Sequence, residues 1–191
     1  MGLFDMFKRK KEEEWFDIYS PLNGKVIDLS EVPDEAFAQK MVGDGCAIDP
    51  AEGVVCAPVD GEIDIFETNH AVSFETPNGL EMIVHFGIDT VTLKGEGFKR
   101  VAAGSQVKVG DKLVEYDLEF IKSKVPSVKT PVIINNMDMI EKIDVVAKGK
   151  DVKVGDLYKM VVFYYIKNSL LFSKKRVINI FKIFQIFSKL H

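Results

Sequence analysis

Cysteine is scarce: Cys46 and Cys56 are the only two in 191 residues, and no CxxC pair occurs. That excludes a disulfide framework and leaves two reduced thiols in apolar strands. No run reaches the roughly 18 uninterrupted apolar residues that a membrane-spanning helix needs. No apolar stretch of about 7–15 residues precedes a small-residue cleavage site, so a secretory signal is not expected. Nucleotide-cradling motifs are missing too. Gly95-Glu96-Gly97 is followed by Phe98-Lys99-Arg100, which fits neither a phosphate loop nor a dinucleotide fingerprint and reads as a turn. The start, MGLFDM, has Met6 where a myristoylation signal wants Ser or Thr.

Charge is unevenly placed. The net charge is −4, from 25 basic and 29 acidic residues. Six of the basic residues (Lys167, Lys174, Lys175, Arg176, Lys182, Lys189) lie in 163–191, where no acidic residue occurs. The first 162 residues therefore hold 19 basic against 29 acidic residues, a charge of −10. So acidic a body argues against a nucleic-acid partner. Three segments follow: a leader 1–14 with Leu3, Phe4 and Phe7 at helical spacing beside four basic residues, a body 15–162, and a basic apolar tail 163–191. The leader is a candidate for weak contact with a membrane surface. The tail reads either as a helix lying on an anionic membrane or as a chain end translated past its normal stop.

The body consists of short apolar runs between turn pairs: Asn23-Gly24, Asp44-Gly45, Asp60-Gly61, Asn78-Gly79, Gly110-Asp111 and Gly155-Asp156. This texture predicts an all-β, antiparallel sandwich or flattened barrel, with brief helical turns only at 34–41 and 117–123. Two echoes suggest a duplicated unit: SPLNGKV at 20–26 against APVDGEI at 57–63, and AAGSQVKVGD at 102–111 against AKGKDVKVGD at 147–156.

Chemistry concentrates in 66–91. Apolar runs flank Pro77-Asn78-Gly79, a hairpin signal. A two-residue turn at Asn78-Gly79 pairs residues whose numbers sum to 157, and one at Pro77-Asn78 gives 155. Either puts His70 and His85 on one face, with Cβ atoms about 5–8 Å apart. A three-residue loop gives 156 and sends them to opposite faces. Two neutral imidazoles among Phe66, Val72, Phe74, Ile83 and Phe86 would be a useful pair. One could act as a nucleophile toward phosphorus while the other donates a hydrogen bond to the phosphoryl oxygens, with apolar walls limiting water. The plainer alternative is a pair of core histidines. As metal ligands two nitrogens are incomplete for zinc, which takes three or four.

At this segment the chain resembles a known family. GLEMIVHFGIDTV at 79–91 fits the signature around the phosphorylated histidine of glucose-family IIA components of the bacterial sugar phosphotransferase system. GDGCAIDP at 43–50, APVDG at 57–61, FETNHA at 66–71 and LKGEGF at 93–98 are similar to further family blocks. The resemblance covers about 15–162 and implies an antiparallel sandwich with a duplicated hybrid motif. It implies that His85 forms the phosphohistidine through Nε2, that His70 serves onward transfer, and that Thr68 orients His70. Asp34 and Asp89 would be rim acids facing a basic donor, and Phe37, Phe66 and Phe86 an apolar docking surface. Phospho-HPr would be the donor and a cysteine of a permease IIB domain the acceptor, in the cytoplasm or at the inner membrane face. No cofactor is required. Some relatives bind non-cognate transporters or glycerol kinase when unphosphorylated, and there His70 and His85 could share Zn(2+) with a partner carboxylate. Two other classes stand as alternatives: a regulatory binding module without transfer, and a zinc hydrolase of related β architecture.

Overall fold

The computed structural model describes residues 15–163. The leader and all but the first residue of the tail lie outside the described residues. Fourteen strands occur among them. They are β1 (Trp15–Tyr19), β2 (Gly24–Ile27), β3 (Asp44–Pro50), β4 (Val54–Cys56), β5 (Gly61–Ile65), β6 (Ala71–Glu75) and β7 (Glu81–His85). The chain continues with β8 (Phe98–Arg100), β9 (Gln106–Val107), β10 (Lys112–Tyr116), β11 (Thr130–Ile134), β12 (Ile140–Asp144), β13 (Asp151–Val152) and β14 (Leu157–Phe163). Two short helices interrupt them, α1 (Glu35–Ala38) and α2 (Leu118–Lys124), each capped by an aspartate, Asp34 or Asp117, that accepts from the amide of Phe37 or Phe120. Both fall where the sequence predicts helical turns.

All strand pairings are antiparallel. An eight-stranded sheet runs β13-β2-β3-β11-β7-β6-β5-β9, and two three-stranded sheets run β1-β14-β12 and β4-β10-β8. Alternation along β6 and β7 divides the apolar side chains between two clusters. Val72, Phe74, Met82, Val84 and Phe86 enter the main core, with Ile18, Leu113, Tyr158 and Val161. Ala71 and Ile83 join a smaller cluster on the other face, with Leu29, Val32, Phe37, Ile88 and Ile133.

The echoes are structural copies. β13 pairs with β2 through Val152 and Gly24, and β9 with β5 through Val107 and Gly61. Ser20 N donates to Asp156 O at 2.8 Å, and Ala57 N to Asp111 O at 2.9 Å. Val154 N reaches Asn23 Oδ1 at 2.7 Å, and Val109 N reaches Asp60 Oδ1 at 2.9 Å. The sheet order is thus two four-stranded halves meeting at β11 and β7, with Val132 opposite Val84 at the join. The predicted sandwich with a duplicated motif is the fold observed.

Two local expectations are overturned. Asp44-Gly45 is the opening of β3 and not a turn; glycine stands there because a Cβ would lie 2.3 Å from the Val132 carbonyl oxygen. The β6–β7 connection is a three-residue loop, Pro77-Asn78-Gly79, closed by Thr76 N donating to Leu80 O at 3.0 Å. Gly79 is left-handed at φ 83°, as a loop of this length requires at its third residue. Ala71 therefore pairs with His85, the register sum of 156 that strict alternation would have used to separate the histidines.

Candidate functional site

The two imidazoles meet nonetheless. Their ring centroids are 5.1 Å apart at an interplanar angle of 80°. His85 ends β7 on the same face as Ile83. His70 precedes β6, where alternation is not yet imposed: only its carbonyl is in the ladder, accepting from Phe86 N at 2.8 Å. The chain reaches it through a tight turn in which Asn69 N donates to Phe66 O at 2.7 Å and Asn69 is left-handed at φ 56°.

Each ring is held through Nδ1. That of His85 donates to the Gly87 carbonyl at 2.8 Å. A carbonyl can only accept, so the proton sits on Nδ1 and the neutral ring carries its lone pair on Nε2. Gly87 aims this carbonyl from a left-handed φ of 74°, at a position where a Cβ would lie 2.9 Å from Ser127 O. His70 Nδ1 shares a 2.5 Å hydrogen bond with Thr68 Oγ1.

Both rings are buried, at 5% and 6% exposure. Burial, and secondarily the neighbouring His85, push His70 down to about 3. Burial also lowers His85, opposed by the Gly87 carbonyl and by the charges of Asp34 and Asp89. Both shifts favour the neutral imidazole. Phe37 packs on His85 at 5.4 Å between centroids, and Phe66 meets His70 edge-on at 5.5 Å. The result is a buried pair of rings between two phenylalanines, one imidazole with its lone pair on Nε2 and a second ring beside it.

The chain matches, over residues 16–140, the family described as phosphoenolpyruvate-dependent sugar phosphotransferase system, EIIA 1. It belongs to that family. It is 49% identical over 160 residues to the PTS system glucose-specific EIIA component of Haemophilus influenzae, covering 82% of this chain and 95% of that one. The component of the same name from Halalkalibacterium halodurans is 50% identical over 144 residues, covering 72% and 83%. Among solved structures, the glucose permease IIA from Mycoplasma capricolum superimposes with a TM-score of 0.69 at 38% identity, over 77% of this chain and 96% of that one. The protein is thus an EIIA phosphotransferase component of a sugar phosphotransferase system.

Within this EIIA, the residues expected at the site separate into groups. His85, His70 and Thr68 come together. Phe66 is half-buried at the rim. Phe37, only 1% exposed, is a wall of the pocket and not a docking surface. Phe86, also 1% exposed, points the other way, into the main core, stacked on Tyr116 at 6.1 Å; it directly follows His85, the last residue of β7, and so takes the opposite face. Asp34 caps α1 through Phe37 N at 3.1 Å, which holds Phe37 in place, and still acts electrostatically on His85. Asp89 is left-handed at φ 62° and starts the turn over Thr90–Leu93. Sequence reasoning missed the Gly87 carbonyl, although the glycine two residues after His85 was in view in HFG.

For zinc, the site offers two ring nitrogens, and among the described residues no group of three or more His, Cys, Asp or Glu could hold a metal ion. The donor set is incomplete without ligands from outside the chain. No helix among the described residues is long and apolar enough to cross a membrane.

Proposed function

We propose that this EIIA carries a phosphoryl group on His85 Nε2, taking it from phospho-HPr and passing it to a cysteine on the IIB domain of a glucose-type permease, at the cytoplasmic side of the membrane. The observation that carries the proposal is the Gly87 carbonyl on His85 Nδ1, which leaves the Nε2 lone pair as the nucleophile. In the first step Nε2 bonds to phosphorus as the P–N bond to the donor's phosphohistidine breaks, and the donor ring, protonated on its other nitrogen, leaves as neutral imidazole while His85 keeps its Nδ1 proton. In the second, a IIB thiolate bonds to phosphorus and the Nε2–P bond breaks, returning His85 to its neutral Nδ1–H form. If the Thr68 hydroxyl donates to His70 Nδ1, the His70 Nε2–H remains to hydrogen-bond the phosphoryl oxygens as charge gathers on them. Burial of both rings and the Phe37 and Phe66 walls limits hydrolysis of the phosphoramidate.

The carrier domain spans 15–162, and no cofactor takes part in these steps. The similarity to glucose-specific relatives supports the sugar assignment. In a regulatory complex with a transporter or glycerol kinase, His70 and His85 would supply two zinc ligands and the partner a carboxylate. Neither a module without transfer nor a zinc hydrolase is favoured: the first would not need an oriented lone pair, and the second needs more ligands. Incubation of the full chain with phosphoenolpyruvate, enzyme I and HPr should add one acid-labile phosphate, mapped to His85 by mass spectrometry. His85→Ala should accept none; a variant that still takes up the label would overturn the proposal.

A further inference from the structure

The observed register poses a problem that the turn before β6 solves. With Ala71 opposite His85 and Val72 opposite Val84, the even-numbered side chains of β6 enter the main core beside Phe86 and Val84. His70 is even-numbered, and its carbonyl bonds the Phe86 amide as the ladder demands. Continued alternation would bury its ring in that core, away from His85. Instead the ring stands 5.1 Å from His85 and 5.5 Å from Phe66.

His70 lies just before β6, and the backbone one residue earlier departs from strand geometry. Asn69 is one of four non-glycine residues with positive φ among the described residues. The turn it completes is closed at both ends, by Asn69 N on Phe66 O at 2.7 Å and by Phe66 N on Ala71 O at 3.0 Å. His70 directly follows this left-handed residue, and its ring lies with Thr68 Oγ1 against its Nδ1. Gly95, the first glycine of the 93–98 turn, lies close by: a Cβ built there would sit 3.6 Å from Thr68 O, in ordinary contact.

We infer that Asn69 is a positioning residue for phosphoryl transfer, its left-handed backbone placing the His70 ring beside His85. The inference rests on the proposed carrier function. Asparagine suits the role because it tolerates this conformation better than other non-glycine residues, whereas a β-branched side chain resists it.

The test is a series at one position in the full-length protein: Asn69→Gly, Asn69→Ala and Asn69→Val. Acceptance from phospho-HPr and donation to a purified IIB domain are each followed in single-turnover assays. Nitrogen-15 NMR of the His70 ring reads its tautomer and its bond to Thr68. The order of donation rates should follow tolerance of the left-handed region, with Gly equal to the parent, Ala slower, and Val slowest by about tenfold. Acceptance should stay within about twofold throughout, and the His70 nitrogen shifts should move in the same order. Should Asn69→Val fail to fold, the Gly-to-Ala step decides. Equal donation by all folded variants, or a Gly variant as slow as Ala, would overturn the inference, the second because it would assign the effect to the amide side chain. If the parent takes no phosphate, the carrier proposal fails instead, and the NMR order still decides whether residue 69 places the ring.

Discussion

The two halves of the eight-stranded sheet share a backbone and differ in what their connections carry. Between β2 and β3 the chain runs through sixteen residues, 28–43, that build the capped helix α1 and deliver Phe37. Between β5 and β6 it takes only five, 66–70, yet these supply Thr68 and His70. Continuing the paired registers across the join sets Ile133 of one half where His85 stands in the other, and Asp44 where His70 stands. Ile133 is 1% exposed and belongs to the apolar cluster beside the site. Duplication therefore provides two equivalent strand positions on one face; one carries the histidine proposed to take the phosphate and the other adds to the apolar cluster beside it. The site needs both halves.

The largest expected effect tests that dependence. Phe37 comes from the half without histidines, is fully buried, and packs on His85. Phe37→Ala should cost about 3–5 kcal/mol of unfolding free energy, measured by urea titration. It should also shorten the lifetime of the phosphorylated protein by admitting water. A cost under about 1 kcal/mol, with unchanged phosphate lability, would mean that the second half does not seal the site.

A second difference lies in the core. The echo that aligns Asp156 with Asp111 sets Lys159 of β14 at the place of Val114 in β10. Both are completely buried. The lysine Nζ donates to Val132 O at 3.0 Å and lies 5.5 Å from the Tyr158 ring centroid. Burial drives its pKa below the usual value of 10.5. The unfolded chain thus binds this proton more tightly than the folded one, and protonation costs stability once pH falls below the unfolded value. Lys159→Met, nearer to the valine of the other half, should raise stability by about 2 kcal/mol at pH 7. The gain should shrink as pH rises toward and past about 10.4, where the unfolded lysine also loses its proton. Denaturant melts at several pH values read this directly; a variant less stable than the parent at pH 7 would show that the amine's bond to Val132 outweighs its desolvation.

The contrast between halves also explains which features could be read from the sequence. The sandwich and its duplication were legible because turn chemistry and echoes are local and repeat: VKVGD makes the same bonds in both copies. The histidine pair was legible as a pair, but not for the reason its spacing offered. Register arithmetic required a two-residue hairpin turn, whereas Gly79 supports a three-residue loop, and the rings meet with His70 lying before β6, next to the left-handed Asn69. Asparagine permits a left-handed backbone without announcing it, so that conformation left no clear mark. Phe86 was misassigned although alternation from His85 already pointed it inward. Lys159 was invisible, since a lysine near a strand end ordinarily faces water.

The smallest effect sharpens the equivalence of the halves. Asp111 Oδ2 accepts from Lys108 N at 2.8 Å, and Asp156 Oδ2 accepts from Lys153 N at the same distance, each closing the turn of its own VKVGD copy. Both aspartates are exposed, so each bond competes with water and is worth roughly 0.5–1 kcal/mol. Asp111→Ala and Asp156→Ala should therefore destabilise equally, and the double variant should lose the sum within about 0.5 kcal/mol, because the turns share no partner. Neither change should alter phosphate uptake, since both turns lie at the sheet margins, beside β9 and β13. A markedly larger loss at one turn would mean that the copies match in geometry but not in energy. Stability would then rest on one half of the sheet, and the equivalence drawn from the paired bonds would hold for shape alone.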